Sequence, residues 1–203
     1  PALGDLMLGT VALAAEYNGI GKASHVRDKL AEIIRVSELG YAAGFTASEL
    51  GKPEVYIPTV GFRPYGPGSY IPNSIYANVG RCLSGEAVYR EAEILCDVSG
   101  GIPATFPSEG DFMNPETRDL LYKYITRNPN IHPEDAAQLW RYVGDLLCSA
   151  TGGIHHFGAY HGGGSPIMEA IAITSQYDIE SCKALVKKIA GIKDRKVNPE
   201  EKK

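Results

Sequence analysis

From Leu3 to Tyr17 the apolar positions Leu6, Leu8, Val11, Leu13 and Ala14 leave few polar ones, which predicts a helix buried on two sides and stopped at Asn18-Gly19. The next stretch has a different rhythm. Between Ala23 and Leu50, Val26, Leu30, Ile33 and Ile34 recur at helical spacing and continue through Ser37, Tyr41 and Phe45, while Arg27, Asp28, Lys29 and Glu32 take other faces. A long amphipathic helix follows from that pattern. From Lys52 to Pro72 five prolines alternate with Gly61, Gly66 and Gly68, which excludes helix and predicts an extended surface loop. Helical spacing resumes at Asn73 with Ile75, Val79, Leu83, Val88, Ala92 and Leu95, and Gly100-Gly101 ends it.

The second half is cut into shorter pieces. Asn114-Pro115-Glu116 has the form of a helix start, with Asn114 as cap and Pro115 in the first turn, ahead of Leu120, Leu121, Tyr124 and Ile125. His132-Pro133-Glu134-Asp135 repeats that form before Leu139, Trp140, Val143, Leu146 and Leu147. Two more helices are predicted over Pro166 to Gln176 and Ile179 to Ile192, followed by a charged tail that should fray. β-Branched residues stand at helical rather than alternating positions throughout. The expected fold is therefore all-α: a bundle of long antiparallel helices with a Pro-rich excursion, one domain over 1–193 and a disordered tail over 194–203.

Composition narrows the partners. With 203 residues and 44% hydrophobic content the chain can bury a real core. A net charge of -4 without a clustered basic face argues against nucleic acid. No apolar run is long enough for a membrane span. Asp5 and Glu16 interrupt the first segment, so it does not read as a secretory signal, and a start at Pro1 suggests a processed, truncated or split polypeptide. Cys82, Cys96, Cys148 and Cys182 are widely spaced inside helical patterns, without CxxC or metal spacing. Buried free thiols in a cytoplasmic protein are expected.

The candidate chemistry lies in Gly152–Pro166, where six glycines, three histidines and a tyrosine fall within fifteen residues. Read as a loop between two helices, such a stretch costs conformational entropy that close backbone approach to an anionic ligand would offset. Gly162-Gly163-Gly164-Ser165-Pro166 leads into a helix whose first N–H groups, with the Ser165 hydroxyl, can hold a phosphate. The plain alternative is a Gly-rich cap, with His161 as a spacer or a donor to backbone. His155, His156 and His161 lack the carboxylate or cysteine company of a metal site, so structural hydrogen bonding is expected of them. His25 reads as a polar-face or interface residue. Pro107-Ser108-Glu109 either lines a cavity or leads into the next helix, and Tyr56, Tyr65 and Tyr70 suit an interface.

Taken in order, Gly4-Asp5, Ala14-Ala15-Glu16-Tyr17-Asn18-Gly19, the run from Lys22 to Leu30, Ala77-Asn78-Val79, Gly100-Gly101, Pro107-Ser108-Glu109 with Asp111-Phe112, and His161-Gly162 with Gly164-Ser165-Pro166 carry a family resemblance. The chain resembles the C-terminal helical domain of the 4-hydroxybutyryl-CoA dehydratase/vinylacetyl-CoA isomerase family over nearly its whole length. More distantly it is similar to the same domain of flavin-dependent 4-hydroxyphenylacetate 3-monooxygenases.

That resemblance implies part of an acyl-CoA-dehydrogenase-like flavoprotein, in which an N-terminal helical domain and a β-domain precede this bundle. It implies FAD bound in part by His161, Gly162, Gly163, Gly164, Ser165 and Pro166, a homo-oligomer, a partner domain or subunit supplying the N-terminal part, and an acyl-CoA or aromatic substrate. In the dehydratases three cysteines and a histidine hold a [4Fe-4S] cluster, the last cysteine just before the position matching Pro1, so none of the four cysteines here inherits that role. A glutamate that serves those enzymes as acid or base, three positions before the histidine matching His161, is Gly158 here. Glycine cannot transfer a proton, and Glu109 and Glu169, expected to be exposed, are not obvious substitutes. No catalytic residue is assigned. The expected activity is that of a lyase/isomerase or oxidoreductase incomplete without its N-terminal part; a non-catalytic assembly module is the contrasting reading.

Overall fold

The computed structural model describes residues 2–54, 66, 68–162 and 164–193. Three long helices form its frame. Helix α1 (Ala2–Tyr17) ends where Gly19 takes a φ of 73° and Ile20 donates its N–H back to the Ala15 carbonyl, a left-handed cap that suits glycine. Helices α2 (Ser24–Glu49) and α3 (Ser74–Ser99) are each 26 residues long. Asn73 caps α3, its side chain accepting from the N–H groups of Ile75 and Tyr76, and Gly100 closes it at a φ of 68°.

α2 and α3 run antiparallel. Lys29 pairs with Asp97, Glu32 with Arg90, and further along Gly40 faces Ser84 and Ala43 faces Gly80. Those small residues decide how close the helices come: a Cβ on Gly80 would lie 2.9 Å from the Ala43 methyl. Between the two helices the chain turns through β1 (Lys52–Pro53) and β2 (Tyr70–Ile71), a short antiparallel pair. The tyrosines Tyr56 and Tyr65 of the expected interface lie outside the described residues; Tyr70 is exposed on β2.

The core sits where α6 (Pro133–Cys148) packs against α1. Ala136, Ala137, Trp140, Val143 and Leu146 form its inward face, meeting a cluster that includes Met7, Val11, Ala14 and Ala15 of α1 and Ile94, Leu95 and Val98 of α3. Trp140 and Val143 are fully buried, and each such side chain is worth about 1.5–3 kcal/mol. α6 starts as its sequence predicts, with His132 accepting from the Glu134 N–H and Pro133 in the first turn. Asn18 ties the corner together, donating to the Val98 carbonyl and accepting from Arg127.

Between α3 and α6 the expectation needs correcting. A 3-10 turn at Ile102–Ala104 precedes α4 (Glu109–Met113), and α5 spans Arg118–Ile125. Asn114 ends α4 rather than opening a helix at Pro115: its N–H bonds to the Gly110 carbonyl, while its side chain accepts from Glu116 in a turn. Helical geometry for α5 begins only at Arg118. Ser108 leads into α4, bonded through both N–H and hydroxyl to Asp111, so the segment serves as a helix start. Phe112 stacks on Phe106 and sits beneath Arg141.

The last helices are α7 (Ala150–His161), α8 (Pro166–Gln176) and α9 (Ile179–Ala190). α7 and α8 follow one another along α3, antiparallel to it: Tyr89 meets His156 and Tyr160, Arg81 meets Glu169, and Ser74 meets Gln176. No residue of α9 is buried. No helix among the described residues is long and apolar enough to cross a membrane. The tail expected to be disordered, 194–203, lies outside the described residues. The cysteines depart from expectation: all are free, but Cys96, Cys148 and Cys182 are exposed and Cys82 half-buried. The three exposed ones fall on outward faces of their helices, which spacing along the chain does not reveal.

Candidate functional site

Most of the glycine-histidine stretch is helix, not loop. α7 opens at Ser149, whose hydroxyl accepts from the Gly152 N–H, and runs to His161. Gly152 answers to packing, and Gly162, just past the end of α7, is crowded by the helix's own last turn. A Cβ on Gly152 would stand 2.2 Å from the Leu146 carbonyl oxygen at the α6–α7 corner, and one on Gly162 only 2.3 Å from the Gly158 carbonyl oxygen. Gly153 and Gly158 have nothing within 4 Å of such a Cβ. Helix survives three glycines here because α7 lies along α3, and tertiary packing outweighs weak local propensity.

The true break is Gly162–Ser165. There Gly164 takes a φ of 123° and donates its N–H to the His161 carbonyl. Pro166 then occupies the first turn of α8, and the Ser165 carbonyl accepts from the N–H groups of Met168 and Glu169. The Ser165 side chain makes no capping bond, leaving its hydroxyl uncommitted at a helix N-terminus. His161 packs its ring against Phe157 and Tyr160. Of the six expected site residues, His161, Gly162, Gly164, Ser165 and Pro166 thus fall together at one helix junction; Gly163 lies outside the described residues.

Beneath the junction is a cavity of about 290 Å³, walled by Gly40 and Gly44 of α2, Gly80 and Gly85 of α3, and Tyr160 of α7. Its charged members are Arg81 and Glu169. Glu169 is 6% exposed and forms an ion pair with Arg81, Nη2 to Oε1 at 3.2 Å, contrary to the expectation of an exposed carboxylate. It lies in the first turn of α8, where the helix dipole favours a negative charge. Nearby, the Cys82 thiol is held above its ordinary pKa, first by burial and then by its hydrogen bond to Glu86.

The histidines do not converge. His155 is exposed, while His156 buries an Nε2 that has no hydrogen-bond partner among the described residues. Among those residues no group of three or more His, Cys, Asp or Glu could hold a metal ion. Glu109 stands apart from the junction, paired with Arg141. Neither Arg81 nor the burial of Glu169 emerges from sequence reasoning. The available signal is a charged residue set among Ala77, Gly80, Ser84 and Gly85, the small residues that let α3 approach its neighbours.

A profile of the 4-hydroxyphenylacetate 3-hydroxylase C-terminal family (HpaB) matches residues 1–191. The chain belongs to that family. It is 33% identical over 199 residues to the 4-hydroxybutyryl-CoA dehydratase/vinylacetyl-CoA-Delta-isomerase of Clostridium aminobutyricum, a match covering 94% of this chain and 38% of the relative. It is 25% identical over 183 residues to the 4-hydroxyphenylacetate 3-monooxygenase oxygenase component of Geobacillus sp. (strain PA-9), covering 90% of this chain and 35% of that one.

Solved structures agree with this family assignment. An oxygen-tolerant archaeal 4-hydroxybutyryl-CoA dehydratase from N. maritimus superposes with a TM-score of 0.80 at 29% identity, over 97% of this chain and 37% of that one. An HpaB oxygenase component complexed with FAD and 4-hydroxyphenylacetate gives 0.76 at 25% identity, over 92% and 36%. The HpaB-family domain described here therefore spans somewhat over a third of the length of the relatives it matches, and its all-α architecture is the one expected.

Proposed function

We propose that this chain is the C-terminal domain, over 1–193, of a flavin-dependent enzyme of the 4-hydroxybutyryl-CoA dehydratase/vinylacetyl-CoA isomerase type, completed by an N-terminal part carried on the same or a separate polypeptide. The observation that carries the reading is a likeness to a dehydratase at a TM-score of 0.80 over 97% of the chain. FAD fits the α7–α8 junction: Gly164 presents bare backbone, the Ser165 hydroxyl is uncommitted, and an 11-residue helix directs its N-terminus there. His161, Gly162, Gly163, Gly164, Ser165 and Pro166 would hold part of the cofactor, which when bound supplies the redox or radical chemistry. The chain's own contribution is to bind and orient. In this reading the four cysteines of the chain ligate no [4Fe-4S] cluster, and any cluster of the complete enzyme is held by other residues.

Assembly with other subunits is supported by the apolar residues left exposed on the outer side of α7–α8, Ile154, Phe157, Ile167, Met168 and Ile171. Free, exposed thiols suit the reducing cytoplasm. A second reading, the oxygenase component of an aromatic hydroxylase, is favoured by Gly158, which offers no carboxylate for the dehydratase reaction. FAD titration followed by fluorescence quenching and thermal shift, on the chain alone and with the N-terminal polypeptide, tests the proposal. No flavin effect in either setting refutes both enzyme readings and leaves an assembly module. Turnover of 4-hydroxybutyryl-CoA against hydroxylation of 4-hydroxyphenylacetate by the completed enzyme separates the two. Ser165→Ala should weaken FAD binding without unfolding the bundle.

A further inference from the structure

We infer that Arg81 and Glu169 form a latch that sets the geometry of the α7–α8 junction, and so act as positioning residues for whatever the junction binds. Arg81 stands on α3, in the middle of the groove along which α7 and α8 lie. Its Nη2 forms an ion pair with Glu169 Oε1 at 3.2 Å, and the same nitrogen lies 3.1 Å from where a Cβ on Gly164 would be. One guanidinium therefore pairs with the first turn of α8 and lies beside the loop that enters it.

The pair is asymmetric. The Glu169 side chain is 7% exposed, the Arg81 side chain 42%, so the carboxylate is the group that loses water on docking and the one that needs its partner. Of the other residues lining the cavity only Ser84 and Tyr160 carry polar side chains, and neither supplies a positive charge in place of the guanidinium. Gly164 is constrained chiefly by its φ of 123°, which disfavours any side chain, and a Cβ there would also press on the end of Arg81 at 3.1 Å. The loop is placed from below by a charge, while α7 and α8 are placed by packing along α3.

For the effect on FAD this inference rests on the flavin reading above; for the loop itself it does not. Hydrogen exchange of the full chain should show the amides of 162–169 exchanging about tenfold faster in Arg81→Met and Glu169→Gln, as expected for the loss of one ion pair with a buried carboxylate. The amides at the α2–α3 contact should be unchanged. Arg81→Lys, which keeps the charge and loses the planar fork, should fall between, and the swap Arg81→Glu with Glu169→Arg should recover part of the loss. In the flavin-bound protein the single variants should raise the FAD Kd about tenfold, the swap less. Unchanged exchange at 162–169, or acceleration spread evenly over all helices, would overturn the latch, the second outcome showing the pair to be a general support. If the parent chain binds no FAD, the flavin reading fails and exchange alone decides the latch.

Discussion

Two glycines six positions apart in α7 should respond to the same substitution with opposite signs. At Gly152 an alanine Cβ would lie 2.2 Å from the Leu146 carbonyl oxygen, 2.7 Å from its carbon and 2.9 Å from the Asp145 carbonyl oxygen. All three are backbone atoms of the α6–α7 corner, so relief requires the two helices to move apart. Such overpacking costs about 1–3 kcal/mol, and the gain in helix propensity from glycine to alanine returns about 1 kcal/mol. Because no flexible side chain can yield, the upper end applies and Gly152→Ala should destabilise by about 2 kcal/mol. At Gly158 a Cβ meets nothing within 4 Å, so only the propensity term remains and Gly158→Ala should stabilise by about 1 kcal/mol. Urea and thermal unfolding at one fixed protein concentration measure both, since association would otherwise shift the midpoints. For a chain of this size each kcal/mol moves Tm by about 2–4 °C. A Gly152→Ala protein as stable as the parent, or a Gly158→Ala protein less stable, would refute the assignment of this stretch to packed helix.

Other substitutions probe the frame. Trp140→Ala should cost about 3–5 kcal/mol, because the ring is fully buried. Trp140→Phe should cost far less, as the indole N–H has no partner among the described residues to lose; equal losses in urea unfolding would contradict that. Asn73→Ala removes the acceptor for two N–H groups at the start of α3 and should lower stability by about 1 kcal/mol, with the first turn of α3 exchanging faster. Glu91 is 7% exposed and burial raises its pKa above the ordinary 4.5, so the fold prefers its protonated form. The sign follows by linkage: stability relative to Glu91→Gln is undiminished below the ordinary carboxyl value and falls as pH rises through the raised one. Urea midpoints of the two proteins should converge in acid and separate toward neutrality in favour of the variant; parallel pH curves would exclude it.

Element boundaries set by local chemistry were legible in the sequence. Asn18-Gly19, Asn73, Gly100 and His132-Pro133 act on backbone within a turn of themselves, and the helices begin or end there. The amphipathic pattern of α6 likewise named its buried face, from Leu139 to Leu146. So did the ordered blocks that mark the family. Where local chemistry and tertiary packing compete, the sequence misled. Gly152 to His161 reads as loop because each glycine disfavours helix, yet contact with α3 holds it helical. Asn114-Pro115 has the form of a start, but its cap closes the preceding α4. Cys96, Cys148 and Cys182 keep helical spacing while facing outward. What the sequence determined by itself was the all-α class, the long helices and the junction at Gly162–Pro166. Only the tertiary structure decided that Arg81 and Glu169 meet beneath that junction. Their pairing depends on how α8 docks along α3, and a buried carboxylate is recognisable only once the surface that excludes water from it exists.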